Sequence, residues 1–197
     1  MTDIRDLNRR AVDYSVEIVA HAKPDDLDRP TPCSAWNLRD LLSHMTAQHR
    51  GFAAAARGEG ADLAVWQPTP LGDDPVADYA AAATEVTTAY ASPDVLTRDF
   101  ALPEFAEGFT APGHQAIGFH FIDYVVHGWD VARALDLDYH LPPALADEAL
   151  RIALAVPDNE YRHIPNAPFA PALPTPTPAD PLTRILTALG RSPHWPH

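Results

Sequence analysis

Between Ala111 and Ala132 the chain carries only two formal charges, Asp123 and Asp130, in a stretch that is otherwise almost wholly apolar. Phe119, Phe121, Ile122, Tyr124, Val125, Val126, Trp129 and Val131 cover most positions around a helix there. A helix apolar over most of its circumference is buried, because a surface helix shows one apolar stripe only. Turned at about 100° per residue, His120, Asp123, His127 and Asp130 fall within an arc of about 80°. A solvated face would carry Lys, Glu and Arg, and this one carries none of them. Its carboxylates therefore need partners, since an unpaired buried carboxylate is very costly.

A divalent metal is one partner that suits a carboxylate and imidazoles together. Asp123 and His127 stand at i and i+4, one turn apart on one face, a spacing that recurs in zinc helices and in bundle metal sites. His120 and His127 are about 10 Å apart along the axis, too far to share an ion. His120 is accordingly expected behind the ligands or facing a substrate, in a catalytic role. Asp130 is expected to orient a ligand histidine, or else to pair locally.

The rest of the chain supplies the partners for this helix, predicted over residues 112–135. Leu7, Ala11, Tyr14 and Ile18 recur at helical spacing and predict a helix over 3–21. Asn37, with Asp40 three residues on, signals a capped start for a helix over 38–57, with Gly58 and Gly60 at its exit. Asp74-Pro75 opens a third helix to about residue 91, and Pro142-Pro143 precedes a fifth over 144–156. Short extended pieces are expected around Thr97–Leu102. The proline-dense run from Pro165 to Pro181 cannot be regular helix and reads as an extended strap. Asp180, Pro181 and Gly190 mark cap, first residue and stop of a last short helix. The expectation is an all-α protein: a four-helix bundle with short additional helices and a Pro-rich C-terminal strap. It forms one domain over 1–197, with its core in 1–160.

The net charge of −13 comes with no basic cluster, which argues against nucleic acid or an anionic membrane as partner. No apolar run approaches the roughly 18 residues a membrane span needs, and no signal peptide is recognised. With Cys33 the only cysteine there is no internal disulfide, and a reducing, cytoplasmic location is expected. Cys33 precedes a helix start but has no base near it in sequence, so it reads as structural. Trp36 and Trp129 read as core or staple residues. Arg133 is a candidate anion or cofactor binder, weighed against a plain favourable charge at a helix C-terminus. The second helix offers His44 or His49 as a third metal ligand. His49 lies nearer the centre of the apolar stripe and His44 at its edge, and spacing does not choose between them.

Three segments are recognisable together: Thr31-Pro-Cys-Ser-Ala-Trp-Asn-Leu-Arg-Asp-Leu-Leu-Ser-His44, Asp123-Tyr-Val-Val-His-Gly-Trp-Asp-Val-Ala-Arg133 and Leu189-Gly-Arg-Ser-Pro-His-Trp195. The chain resembles the DinB-like metal-binding superfamily, and within it actinobacterial proteins related to the N-terminal domain of mycothiol-dependent maleylpyruvate isomerase. The resemblance implies a four-helix bundle, commonly a homodimer. It also implies a metal held by His44, Asp123 and His127, so it selects His44 where spacing did not. The isomerase has a further C-terminal domain that helps hold its substrate. This chain ends after its strap, so that substrate is not implied.

Two histidines and a carboxylate leave coordination positions open, as catalytic sites do. The donors suit zinc first and also admit nickel or iron. The expectation is a metal- and mycothiol-dependent transferase or isomerase acting on a small electrophilic substrate. The rivals are a metal-dependent hydrolase and a non-catalytic metal or small-ligand binding protein.

Overall fold

The computed structural model describes residues 3–33, 35–164 and 167–196. Six α-helices make up most of it: α1 (Ile4–Val19), α2 (Leu38–Arg57), α3 (Pro75–Ala89), α4 (Gly113–Ala134), α5 (Pro143–Ala155) and α6 (Pro181–Ala188). Each lies where periodicity and caps place it. Asn37 Oδ1 accepts the Asp40 N–H at 3.0 Å, and Asp40 Oδ2 accepts the Asn37 N–H at 3.2 Å, closing the capping box of α2. Gly58, left-handed at φ 86°, ends that helix. Asp74 and Asp180 cap α3 and α6, each with proline as the first helical residue.

The extended pieces form a small antiparallel hairpin, β1 (Asp99–Ala101) with β2 (Thr110–Pro112). Between α2 and α3 lies a 3-10 turn, Leu63–Trp66, which buries Trp66 to 1% exposure. That tryptophan packs edge-on against Phe52 of α2. Periodicity could not find it, because one large residue in a short turn makes no pattern.

The helices α1 to α4 form the bundle, with α1 against α4 and α2 against α3; α5 packs on α4 and α6 on α5. The prediction that α4 is buried holds: 17 of its 22 residues are buried. Its apolar sides enter three clusters. Tyr124 and Val131 meet Leu41, Leu42 and Met45 of α2. Ala116 and Ile117 meet Phe52 and Phe100. Phe121, Val125 and Val126 meet Leu7, Leu145 and Ile185.

The proline-rich segment runs extended, as expected; Pro165 and Asn166, where it was to begin, lie outside the described residues. It is anchored by Arg162, buried to 7% exposure. This guanidinium donates to four carbonyls: Pro157 at 2.7 Å, Val156 at 2.9 Å, Ala170 at 3.2 Å and Ala188 at 2.6 Å. Replacing it strands several carbonyls in a poorly hydrated place. Arg162→Met is therefore expected to cost about 3 kcal/mol of unfolding free energy. An unchanged urea midpoint would show that the strap contributes nothing to the fold.

Candidate metal centre

Helices α2 and α4 bring His44, Asp123 and His127 together. One ligand atom from each lies within 4.8 Å of the other two. Asp123 Oδ1 and His127 Nε2 are 3.4 Å apart. That is long for a charge-assisted hydrogen bond. It matches the edge of a tetrahedron whose two ligands each sit about 2.1 Å from a metal, an edge of about 3.4 Å. His44 stands edge-on to the His127 ring, with centroids 5.4 Å apart, and Trp36 packs on both imidazoles. Trp36 is thus a wall of this site as well as the residue that leads into α2.

The other side of the His127 ring is held as well. Its Nδ1 lies 2.9 Å from Asp130 Oδ2, one turn further along α4. A proton on Nδ1 is donated to that carboxylate, so Nε2 is the nitrogen that faces Asp123 and His44; without a metal it carries the second proton of the imidazolium toward Asp123, and a bound ion would take that proton's place. A histidine with a carboxylate behind it is the usual setting of a metal-ligating imidazole. The donor set, its spacing and the divided roles of the two ring nitrogens fit a divalent ion.

Electrostatics sharpen the picture. Burial and the neighbouring His127 push the His44 pKa down to about 4, so its ring is neutral at pH 7. Burial also opposes charge on His127, but Asp123, Asp130 and Cys33 outweigh it and hold its pKa well above the ordinary value. Asp130 is fully buried, which would favour its neutral form. Arg191, His127 and Cys33 nevertheless keep its pKa below the usual carboxylate range.

Two of these residues were not placed here by sequence reasoning. Cys33 was read as structural for want of a base, yet its Sγ lies 3.2 Å from Asp130 Oδ2 and 4.0 Å from His127 Nδ1. The base comes from 94 residues away, so no local signal could reveal it. Arg191 donates from Nη2 to Cys33 Sγ at 3.1 Å and to Asp130 Oδ2 at 3.3 Å. The Leu189–Trp195 segment was recognised as a motif, but nothing in its pattern said where the arginine points.

Two other candidate residues have their own surroundings. His120 is 0% exposed, enclosed by Phe52, Tyr90 and Tyr124. Asn8 Nδ2 donates to His120 Nδ1 at 2.7 Å, so His120 Nε2 carries the proton and donates it to His49 Nδ1 at 3.2 Å. The stripe on α4 is long enough to pass from one partner set to another, and His120 lies at the end that faces α1 and the middle of α2. His49, which stacks on Tyr124, belongs to this second cluster. Arg133, the candidate anion binder, donates from Nη2 to the Trp195 carbonyl at 3.1 Å, beside a shallow groove lined by Tyr139 and His194.

The family model described as the mycothiol maleylpyruvate isomerase N-terminal domain matches residues 8–132. Two relatives, uncharacterized proteins from two strains of Mycobacterium tuberculosis, are each 32% identical over 185 residues. The alignment covers 94% of this chain and 96% of theirs. No solved structure gives a significant match. Among the described residues, no helix is long and apolar enough to cross a membrane.

Proposed function

The chain belongs to the mycothiol maleylpyruvate isomerase N-terminal domain family, and from that premise we propose that it is a divalent-metal-dependent enzyme that uses a low-molecular-weight thiol. Mycothiol is the thiol in this reading, and the reaction is thiol transfer to, or isomerisation of, a small electrophilic substrate. The convergence of His44, Asp123 and His127 within 4.8 Å carries it.

His44, Asp123 and His127 would hold a divalent ion, zinc first, and that ion would lower the pKa of a thiol brought to it. The chain's own residues set up the rest. His44, Asp123 and His127 supply three donors, which leaves at least one position for an incoming group. Asp130 holds the His127 ring by its Nδ1 proton and fixes which nitrogen faces the centre. Trp36 screens one side of both imidazoles from water. Asp123 is half-buried, so the centre keeps a route to solvent on its side of α4.

The test is metal analysis of the purified protein followed by calorimetry with mycothiol on metal-loaded and chelator-stripped samples. One ion per chain and thiol binding only when loaded are expected. Equal thiol binding with and without metal would overturn the mechanism.

A further inference from the structure

We infer that Arg191 is a positioning residue for the metal centre: its guanidinium holds the Asp130 carboxylate that in turn fixes His127. The inference rests on the metal reading above and adds a component from the C-terminal segment. The family model ends at residue 132, so Arg191 lies outside the matched region.

The geometry is specific. Asp130 Oδ2 is shared by three groups: His127 Nδ1 at 2.9 Å, Cys33 Sγ at 3.2 Å and Arg191 Nη2 at 3.3 Å. Asp130 is 0% exposed and Arg191 only 7%. A carboxylate buried this deeply beside a single imidazole would be poorly compensated, and the guanidinium supplies the missing charge. The same Nη2 donates to Cys33 Sγ, so the thiol is held between cation and anion. Three segments far apart in sequence thus meet on one carboxylate oxygen.

The chain is shaped to deliver this arginine. Helix α6 ends in a tight turn, with the Arg191 N–H donating to the Leu186 carbonyl at 2.8 Å. Gly190 makes the turn at φ 75°, a left-handed conformation that side chains resist. A Cβ at Gly190 would also come within 2.6 Å of the Ala170 carbonyl oxygen in the strap. Arg191 Nη1 donates to the Leu189 carbonyl at 3.2 Å, which orients the guanidinium. The strap and α6 therefore do more than cover the bundle: they present one cation to the side of His127 away from the ligands.

The test uses the full-length protein with cobalt(II) as the probe. Four proteins are compared with wild type: Arg191→Met, Arg191→Lys, Asp130→Asn, and Arg191→Met combined with Asp130→Asn. Arg191→Met should weaken cobalt binding by about 10- to 100-fold and shift the visible absorption bands. Arg191→Lys should recover part of the affinity and the wild-type bands. In the Asp130→Asn background Arg191→Met should change affinity by less than about threefold, because no carboxylate remains to be held. The combined variant removes both charges, so it stays foldable if Arg191→Met alone does not. Wild-type affinity and spectrum in Arg191→Met would overturn the inference while leaving the metal site standing. So would an equal loss in both backgrounds, the mark of general destabilisation. A wild-type protein that binds no cobalt would overturn the metal reading itself and this inference with it.

Discussion

The His127→Ala protein is expected to stay folded and to lose its metal. His127 is the one side chain that serves both halves of the centre, with Nε2 3.4 Å from Asp123 and Nδ1 2.9 Å from Asp130. Its removal takes away a ligand and the link to the supporting carboxylate at once. Loss of an outer partner alone typically costs 10- to 100-fold in affinity, so loss of this ligand should exceed about 100-fold. The fold should survive because its core lies elsewhere, in the apolar clusters that α4 shares with α1, α2 and α5. Asp130 also keeps Arg191 and Cys33 as partners in the variant, so no bare buried charge results. The truncation itself should cost about 2 kcal/mol, a tolerable share of a typical 5–15 kcal/mol.

His49→Ala makes the opposite expectation. It should lower stability by about 3 kcal/mol and leave metal content unchanged. Calorimetric titration with zinc and urea unfolding separate the two variants. Undiminished zinc affinity in His127→Ala, or metal loss in His49→Ala, would remove the centre from its assigned place.

The second large effect is on acid stability. His49 and His120 are both sealed from water and bonded to each other. Burial pushes the His120 pKa down to about 3, and burial together with His120 pushes His49 well below its ordinary 6.5. The groups around them are Asn8 and the rings of Phe52, Tyr79, Tyr90 and Tyr124, none of which is a carboxylate. A histidine whose folded pKa is depressed binds a proton in the unfolded chain before it does in the native one. Its contribution is thus fully present above pH 6.5 and is lost as pH falls toward the folded value. At pH 5 the His120 ring has forfeited about 2 kcal/mol, and His49 adds to the loss in the same direction. His44, with its pKa near 4, acts in the same direction, whereas His127, whose pKa is raised, opposes them by gaining stability as pH falls from 7.5 to 6.5. Urea unfolding at pH 7.5 and pH 5, with chelator present so that metal loss plays no part, should show a marked fall. A constant midpoint across that range would mean that these rings are not held neutral.

The helices, their caps and the burial of α4 were legible in the amino-acid sequence because each depends on residues within about one turn of one another. The run from Phe119 to Val131 is apolar over most of its circumference, and that by itself required a buried helix. Asn37 and Asp40 stand three apart, and that spacing by itself closes a capping box. The pair Asp123 and His127 could be named for the same reason, since i and i+4 meet on any helix.

What lay across the bundle was decided only by tertiary structure. His44 and His49 sit on one helix with similar local surroundings. The packing of α2 against α4 sends the first to Asp123 and His127 and the second to His120. Periodicity describes one helix and cannot say which turn of its neighbour it meets. Cys33 and Arg191 reach the same carboxylate from 97 and 61 positions away. Their arrival depends on the loop before α2 and on the glycine turn after α6, and neither leaves a repeating pattern. The pairing of Asp123 with His127 on α4 is therefore a property of the sequence. The arrival of His44, Cys33 and Arg191 beside that pair is a property of the packed chain, because contacts between distant segments follow from how helices cross and where loops end.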